Sequence, residues 1–212
     1  MNFSQYNRNF VRMEDEEEDD TEKKAGNPFD SLPAAQLEKT FLEQRKVFLW
    51  GVVHDESAKH VVNRLLFLEA KDPGKEIQFY INSPGGMVTS GMVIYDAIQM
   101  ISSPVSTICM GLAASMGSIL LSAGAKGKRY IFPHAEVMIH QPSLGGYMRG
   151  VSTDLEIQAR QIRKTKEIGA RILADNCGQS MEKVLRDFER DYWMDAKEAL
   201  EYGIVDAVME KL

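Results

Sequence analysis

Ser115 stands in Gly111-Leu112-Ala113-Ala114-Ser115-Met116-Gly117-Ser118, a run of small residues between an apolar strand pattern and an apolar helix pattern. Small neighbours let backbone approach a substrate closely. A hydroxyl at a strand-to-helix turn is exposed, and the first helical N–H groups point into the same space. This is the logic of a nucleophile elbow, although Ala113 replaces the first glycine of Gly-x-Ser-x-Gly. A helix N-cap serine is the simpler alternative. A serine nucleophile needs a base, and the chain holds four histidines. His60 follows Lys59 on a helical pattern and reads as part of a solvated face. His54 lies beside Asp55 at a strand end, and His134 follows Phe132-Pro133 as a turn residue. His140 ends the run Glu136-Val137-Met138-Ile139 and precedes Gln141-Pro142, so a strand projects it from its carboxyl end. By elimination it is the best base; a strand-end histidine satisfied by backbone is the competing reading.

The third member of such a set is a carboxylate that holds the imidazole in the useful tautomer. Nothing local chooses among 31 acids. Asp191, at a helix end and followed by Tyr192-Trp193, is a reasonable candidate, with a helix-terminal surface acid as the simpler reading. Gly85-Gly86, after an apolar strand, can aim the Gly86 N–H at a developing oxyanion, beside the N–H of Met116. A tight turn that uses glycine for positive φ explains the pair equally well. There is no Walker loop, no Gly-x-Gly-x-x-Gly after the first strand and no His-Glu-x-x-His, which disfavours phosphoryl transfer and metal hydrolysis.

These groups need a scaffold. Residues 47–53 form a continuous apolar run, the pattern of a strand buried on both faces. Asp55 can cap a helix carrying Ala58, Val61, Val62, Leu65, Leu66 and Leu68 at helical spacing, stopped by Asp72-Pro73-Gly74. Further strands are predicted at residues 77–81, 105–110, 129–132 and 136–139. Helices are predicted near 33–45, 89–100, up to about 123, 154–174, 181–189 and 196–202. This alternation predicts an α/β fold with a largely parallel sheet. In such folds chemistry gathers where loops leave the carboxyl ends of strands. The segments 83–86, 111–118 and 140–146 all lie at such ends.

Charge is unevenly divided. Residues 1–26 hold eight acids against four bases, so they carry −4 of the net −6. The body is nearly neutral and offers no basic face for nucleic acid. Residues 1–27 read as a disordered acidic tail, either a solvated end without a role or a removable leader or interaction arm. Cys109 and Cys177 have neither zinc nor disulfide spacing, which favours a reducing compartment. No apolar run approaches the ~20 residues that span a bilayer, and the N-terminus matches neither a secretory nor a transit signal. A cytoplasmic location is the expectation, with no membrane partner.

The stretches Tyr80-Ile81-Asn82-Ser83-Pro84-Gly85-Gly86, Ser106–Gly111 with Ala113–Gly117, and Met138-Ile139-His140-Gln141-Pro142 closely resemble the Clp protease proteolytic subunit. Leu144–Tyr147, Gly178-Gln179-Ser180, Glu189-Arg190-Asp191 and Glu201-Tyr202-Gly203 extend the likeness, which runs from about Val47 to the end. The resemblance implies a serine endopeptidase with Ser115 as nucleophile, His140 as base and Asp191 as orienting acid. Gly86 and Met116 are implied as oxyanion donors, with no cofactor and no metal. It implies a crotonase-like α/β peptidase domain over residues 28–212, with a protruding strand-helix handle at about 141–174. It further implies stacked heptameric rings enclosing the sites, and unfolded polypeptide substrates delivered by an AAA+ ATPase ring. Arg190 is implied as the link between ring contact and triad alignment. Leu66, Tyr80, Met100, Ile108, Tyr130 and Phe132 are implied to line the groove that receives the ATPase. Residues 1–46 depart from the family's axial gate, and Gln78 stands where an aromatic is more usual. An unpartnered amide there costs ~1–3 kcal/mol, so weaker docking and a mixed barrel with a paralogous subunit are expected. Two other readings stay open: a crotonase-type acyl-CoA enzyme, and a structural subunit of a mixed ring with little activity alone.

Overall fold

The computed structural model describes residues 34–143 and 150–211. The acidic segment 1–27 and the Leu144–Tyr147 part of the handle lie outside the described residues. The elements run α1 (Ala34–Glu43), β1 (Lys46–Trp50), α2 (Asp55–Lys71), β2 (Ile77–Ser83), α3 (Val88–Met100) and β3 (Val105–Ala114). They continue with α4 (Met116–Ser122), β4 (Arg129–Ile131), β5 (Glu136–Ile139) and α5 (Ser152–Cys177). The last four are α6 (Met181–Asp187), β6 (Tyr192–Met194), α7 (Ala196–Tyr202) and β7 (Ala207–Val208). The chain is α/β, and its sheet is parallel in the order β1-β2-β3-β4-β7, with β5 beside β3 and β6 antiparallel to β5.

Strand β3 is the axis. Its first half pairs with β4 through Thr107↔Arg129 to Cys109↔Ile131, and its last residues pair with β5 through Leu112↔Glu136 to Ala114↔Met138. The segment from Gly111 to Ala114 is therefore strand, where its small residues predict a loop. Gly111 takes φ +80°, which bends β3 between its two partners without ending it. One edge of β3 thus receives two successive strands, and β5 is delivered beside the Ser115 turn.

The first strand is shorter than its apolar run. Gly51, at φ +86°, ends it, and Val53 makes only an isolated parallel bridge to Gly86. The cap of α2 is His54 rather than Asp55: its Nδ1 accepts from the Ser57 N–H at 3.3 Å, and its own N–H donates to Ser57 Oγ at 3.0 Å. Asp55 instead accepts a 2.5 Å hydrogen bond from Ser90 Oγ, tying α2 to α3. The core holds Phe79 and Ile81 of β2 with Val61, Leu65 and Leu68 of α2, all essentially inaccessible to solvent. Burying each such side chain contributes about 1.5–3 kcal/mol. Helix α6 stops at Asp187, shorter than its pattern predicts, and β6 follows it. Strand β6 has only three residues and shows no periodicity of its own; its pairing with β5 defines it.

Candidate active site

Ser115 closes β3 and opens α4. It has φ 54° and ψ −120°, and Arg45 is the other described non-glycine residue at positive φ. Such a conformation costs about 1–3 kcal/mol and persists only where neighbours impose it. Here the Ser115 N–H donates to Met138 O at 2.8 Å, and Ser118 donates to Ser115 O from its N–H at 3.0 Å and its Oγ at 2.6 Å. The turn is pinned to β5 on one side and to α4 on the other. Its hydroxyl is aimed out of the strand end.

Strands β5 and β6 position the other two groups. Their antiparallel register pairs Ile139 with Tyr192, so the next residues outward, His140 and Asp191, face each other. His140 Nδ1 lies 3.0 Å from Asp191 Oδ1, and Nε2 lies 2.9 Å from Ser115 Oγ. A carboxylate only accepts, so Nδ1–H donates to Asp191 and Nε2 is left to accept from the serine hydroxyl. The His140 side chain is 27% exposed and that of Asp191 60%, so water reaches the outer link of this chain of hydrogen bonds. The remaining histidines are elsewhere: His54 caps α2, His60 stands near Glu38, and His134 is exposed in the β4–β5 turn.

Gly85 and Gly86 meet different neighbours. Gly85 is buried, and a Cβ there would sit 2.6 Å from Ser115 Cβ and 2.9 Å from the Met116 nitrogen. That close approach brings the following amide, of Gly86, up to the elbow. Gly86, at φ +148°, lies against Val53, where a Cβ would meet the Val53 carbonyl oxygen. Among the described residues neither the Gly86 nor the Met116 N–H donates to a protein acceptor.

Beside the hydroxyl opens a cleft of roughly 320 Å³, part of it open to solvent. Val88, Met92, Ile119, Pro142, Thr165, Gly169 and Phe188 line it together with Ser115, Met116 and His140. The sequence does not point to these wall residues, because α3, α4, α5 and the turn after α6 converge there only in the fold. Arg190 is exposed next to Asp191. Its neighbour Glu189 pairs with Lys166 of α5 at 2.6 Å, and Gln141 Nε2 donates to Glu189 O at 2.8 Å. The hydrogen bond from Lys166 holds the Glu189 carboxyl below the usual carboxylate range. Chain on both sides of the His140–Asp191 pair is thus tied to α5.

Of the docking positions that the resemblance implies, Tyr80, Ile108 and Tyr130 fall in a row that Phe48 extends, while Leu66, Met100 and Phe132 lie off it. Phe48, Tyr80, Ile108 and Tyr130 are in register across β1, β2, β3 and β4. Phe48 stacks on Tyr80 at 5.0 Å, and Phe41 of α1 lies 4.9 Å from Phe48. Tyr80 and Ile108 are buried, whereas Leu66 on α2 and Met100 at the end of α3 are exposed. Phe132 packs against the core. The Gln78 amide is not left alone: Tyr80 Oη donates to its Oε1 at 3.3 Å.

Burial pushes the thiols of Cys109 and Cys177 up to about 12, which leaves no thiolate to compete as nucleophile. Among the described residues no group of three or more His, Cys, Asp or Glu is placed to hold a metal. No described helix is long and apolar enough to cross a membrane.

A mostly parallel α/β sheet that presents a hydroxyl, an imidazole and a carboxylate in line, beside an apolar cleft, has the form of a hydrolase. The family model described as Clp protease matches residues 31–212. The chain belongs to the Clp protease family, and so to a family of peptidases.

Proposed function

We propose that this chain is the serine endopeptidase subunit of an ATP-dependent protease, cutting unfolded polypeptides with Ser115, His140 and Asp191. The observation that carries the reading is the continuous 2.9 Å and 3.0 Å linkage from Ser115 Oγ through the imidazole to Asp191. In this scheme His140 Nε2 takes the Ser115 proton as Oγ attacks the peptide carbonyl carbon. The resulting oxyanion is received by the N–H groups of Gly86 and Met116. His140 then gives its proton to the departing amine, and a water, activated in the same way, releases the acyl group. Asp191 holds the tautomer and stabilises the imidazolium.

Ring assembly and an ATPase partner are general features of the family. For this chain we place stacked heptameric rings, an AAA+ ATPase on the Phe48–Tyr130 row and cytoplasmic quality control within the proposal. Exposed Val151, Leu155, Ile157 and Ile168 on and beside α5, with Trp50, Val52 and Val93 elsewhere, support association. The Gln78–Tyr80 hydrogen bond removes much of the expected cost of an amide in the docking groove. The test is Ser115→Ala, which should abolish peptide hydrolysis while sedimenting like the unaltered protein. Wild-type turnover by that variant would overturn the mechanism.

A further inference from the structure

We infer that Tyr202 is a positioning residue for the reaction: its ring anchors both ends of the short segment that carries Asp191, through Tyr192 at one end and the Lys183–Asp187 pair at the other. The inference rests on the reading of Asp191 as the orienting acid. The Asp191 carboxylate has little of its own to hold it. Its side chain is 60% exposed, and among the described residues its one hydrogen-bond partner is His140 Nδ1. Its place must therefore come from the backbone beneath it. On one side that backbone enters β6, a strand of three residues that pairs with β5 alone. On the other side Phe188, Glu189, Arg190 and Asp191 lead out of α6.

Both ends of this segment meet one ring. Tyr192 stands opposite Ile139, which is inaccessible to solvent, and cross-strand partners share a face of the sheet. On that inner face the Tyr192 ring lies 5.8 Å from the Tyr202 ring, tilted by 45°, a favourable aromatic pairing. At the other end Asp187 pairs with Lys183 at 2.7 Å, and the same Lys183 Nζ sits 3.9 Å from the centre of the Tyr202 ring. Tyr202 is itself fixed. It is buried at the end of α7, and Gln179 Nε2 donates to its carbonyl oxygen at 2.8 Å, tying it to the chain after α5. The ring provides the anchor and the hydroxyl does not: Tyr202 Oη is buried without a hydrogen-bond partner among the described residues. Tyr192 directly follows Asp191, so a shift of Tyr192 off this ring moves the carboxylate against His140, and no other contact of that carboxylate restores it.

The test uses the full chain and reads kcat and KM on a fluorogenic peptide, the rate of fluorophosphonate labelling, and sedimentation velocity. Tyr192 is 39% exposed, so its truncation leaves the core intact. A misplacement of about 1 Å costs on the order of 10²-fold, so Tyr192→Ala should lower kcat and labelling at least tenfold, with KM and sedimentation unchanged. Tyr192→Phe and Tyr202→Phe keep both rings and should stay within about twofold of wild type. In an Asp191→Ala background, adding Tyr192→Ala should slow labelling by less than about threefold, because residues that act as one unit are not additive. Wild-type kcat in Tyr192→Ala, beside an impaired Asp191→Ala, overturns the inference and leaves the orienting acid standing. A full further loss in the double variant overturns it too, as do Phe variants as damaged as Tyr192→Ala, or a loss explained by dissociation. If Tyr192→Ala does not fold, Tyr192→Thr, which suits a strand but has no ring, is read by the same criteria. Wild-type kcat in Asp191→Ala would instead refute the orienting acid, and the inference with it.

Discussion

Gly85→Ala is the substitution with the largest effect for the fewest atoms. The added Cβ would lie 2.6 Å from Ser115 Cβ, 2.7 Å from Ala114 O and 2.9 Å from Met116 N. To reach the 3.4 Å at which ordinary contact begins, these must open by 0.5–0.8 Å, and two of the three are backbone atoms. Gly85 also sits at φ +90°, where a side chain adds about 1–3 kcal/mol of strain. Overpacking adds about 1–3 kcal/mol more. Together these should lower the melting temperature by at least about 4 °C in a chain of this length. The displaced backbone carries the Met116 N–H and abuts that of Gly86. Losing one oxyanion donor costs about 10²–10³ in kcat, or roughly 2.7–4 kcal/mol. Calorimetric melting and kcat/KM on a fluorogenic peptide measure the two effects. Gly127→Ala is the control: φ is +80° but nothing lies within 4 Å, so it should lose stability and keep activity. A Gly85→Ala protein with wild-type melting and kcat/KM would refute the reasoning, as would an equal activity loss in Gly127→Ala.

The remaining expectations follow from single contacts. Asp191→Asn can hold the wrong tautomer and should lower kcat by about 10⁴ or, because water reaches the pair, somewhat less; near-normal turnover would move the orienting role to another residue. Arg190→Ala should weaken association and activity together, since its segment is tied to α5 through Glu189–Lys166; sedimentation velocity with a parallel peptidase assay checks it, and an assembled, fully active variant contradicts it. Hydrogen bonds from Ser102 and Ser103, donated by the Ser102 hydroxyl and by both backbone N–H groups, hold the Glu69 carboxyl well down, at about 2 against an ordinary 4.5. A depressed folded value gives stability that is present above 4.5 and lost as pH falls toward 2. The urea midpoint gap between wild type and Glu69→Gln should therefore be widest above pH 4.5 and shrink below it; a gap that does not change with pH would contradict this.

Much of the scaffold was legible in the residues. The apolar runs that became β2 and β5, and the helical spacing of α2, each carry a local signal strong enough to survive folding. Ser115 and His140 could be singled out because each ends a strand at its carboxyl edge. Asp191 could not be chosen locally. Its position opposite His140 depends on the β5–β6 register, and β6 has three residues with no pattern of their own. Gly111 misled in the other direction: glycine among small residues reads as loop, but a bend at φ +80° let β3 run on to meet β5. The cleft walls were hidden for a related reason. Thr165 and Gly169 lie on a long charged helix whose sequence does not show which turn will face Ser115.

The central claim is that Ser115 is a nucleophile activated by His140. Fluorophosphonate labelling of the full chain, with the adduct located by peptide mass spectrometry, tests it most directly. One adduct at Ser115 is expected, formed at least a hundredfold more slowly in His140→Ala, since a positioned general base contributes about 10²–10⁴. An adduct at any other residue, or labelling of Ser115 at an unchanged rate without His140, would contradict the account.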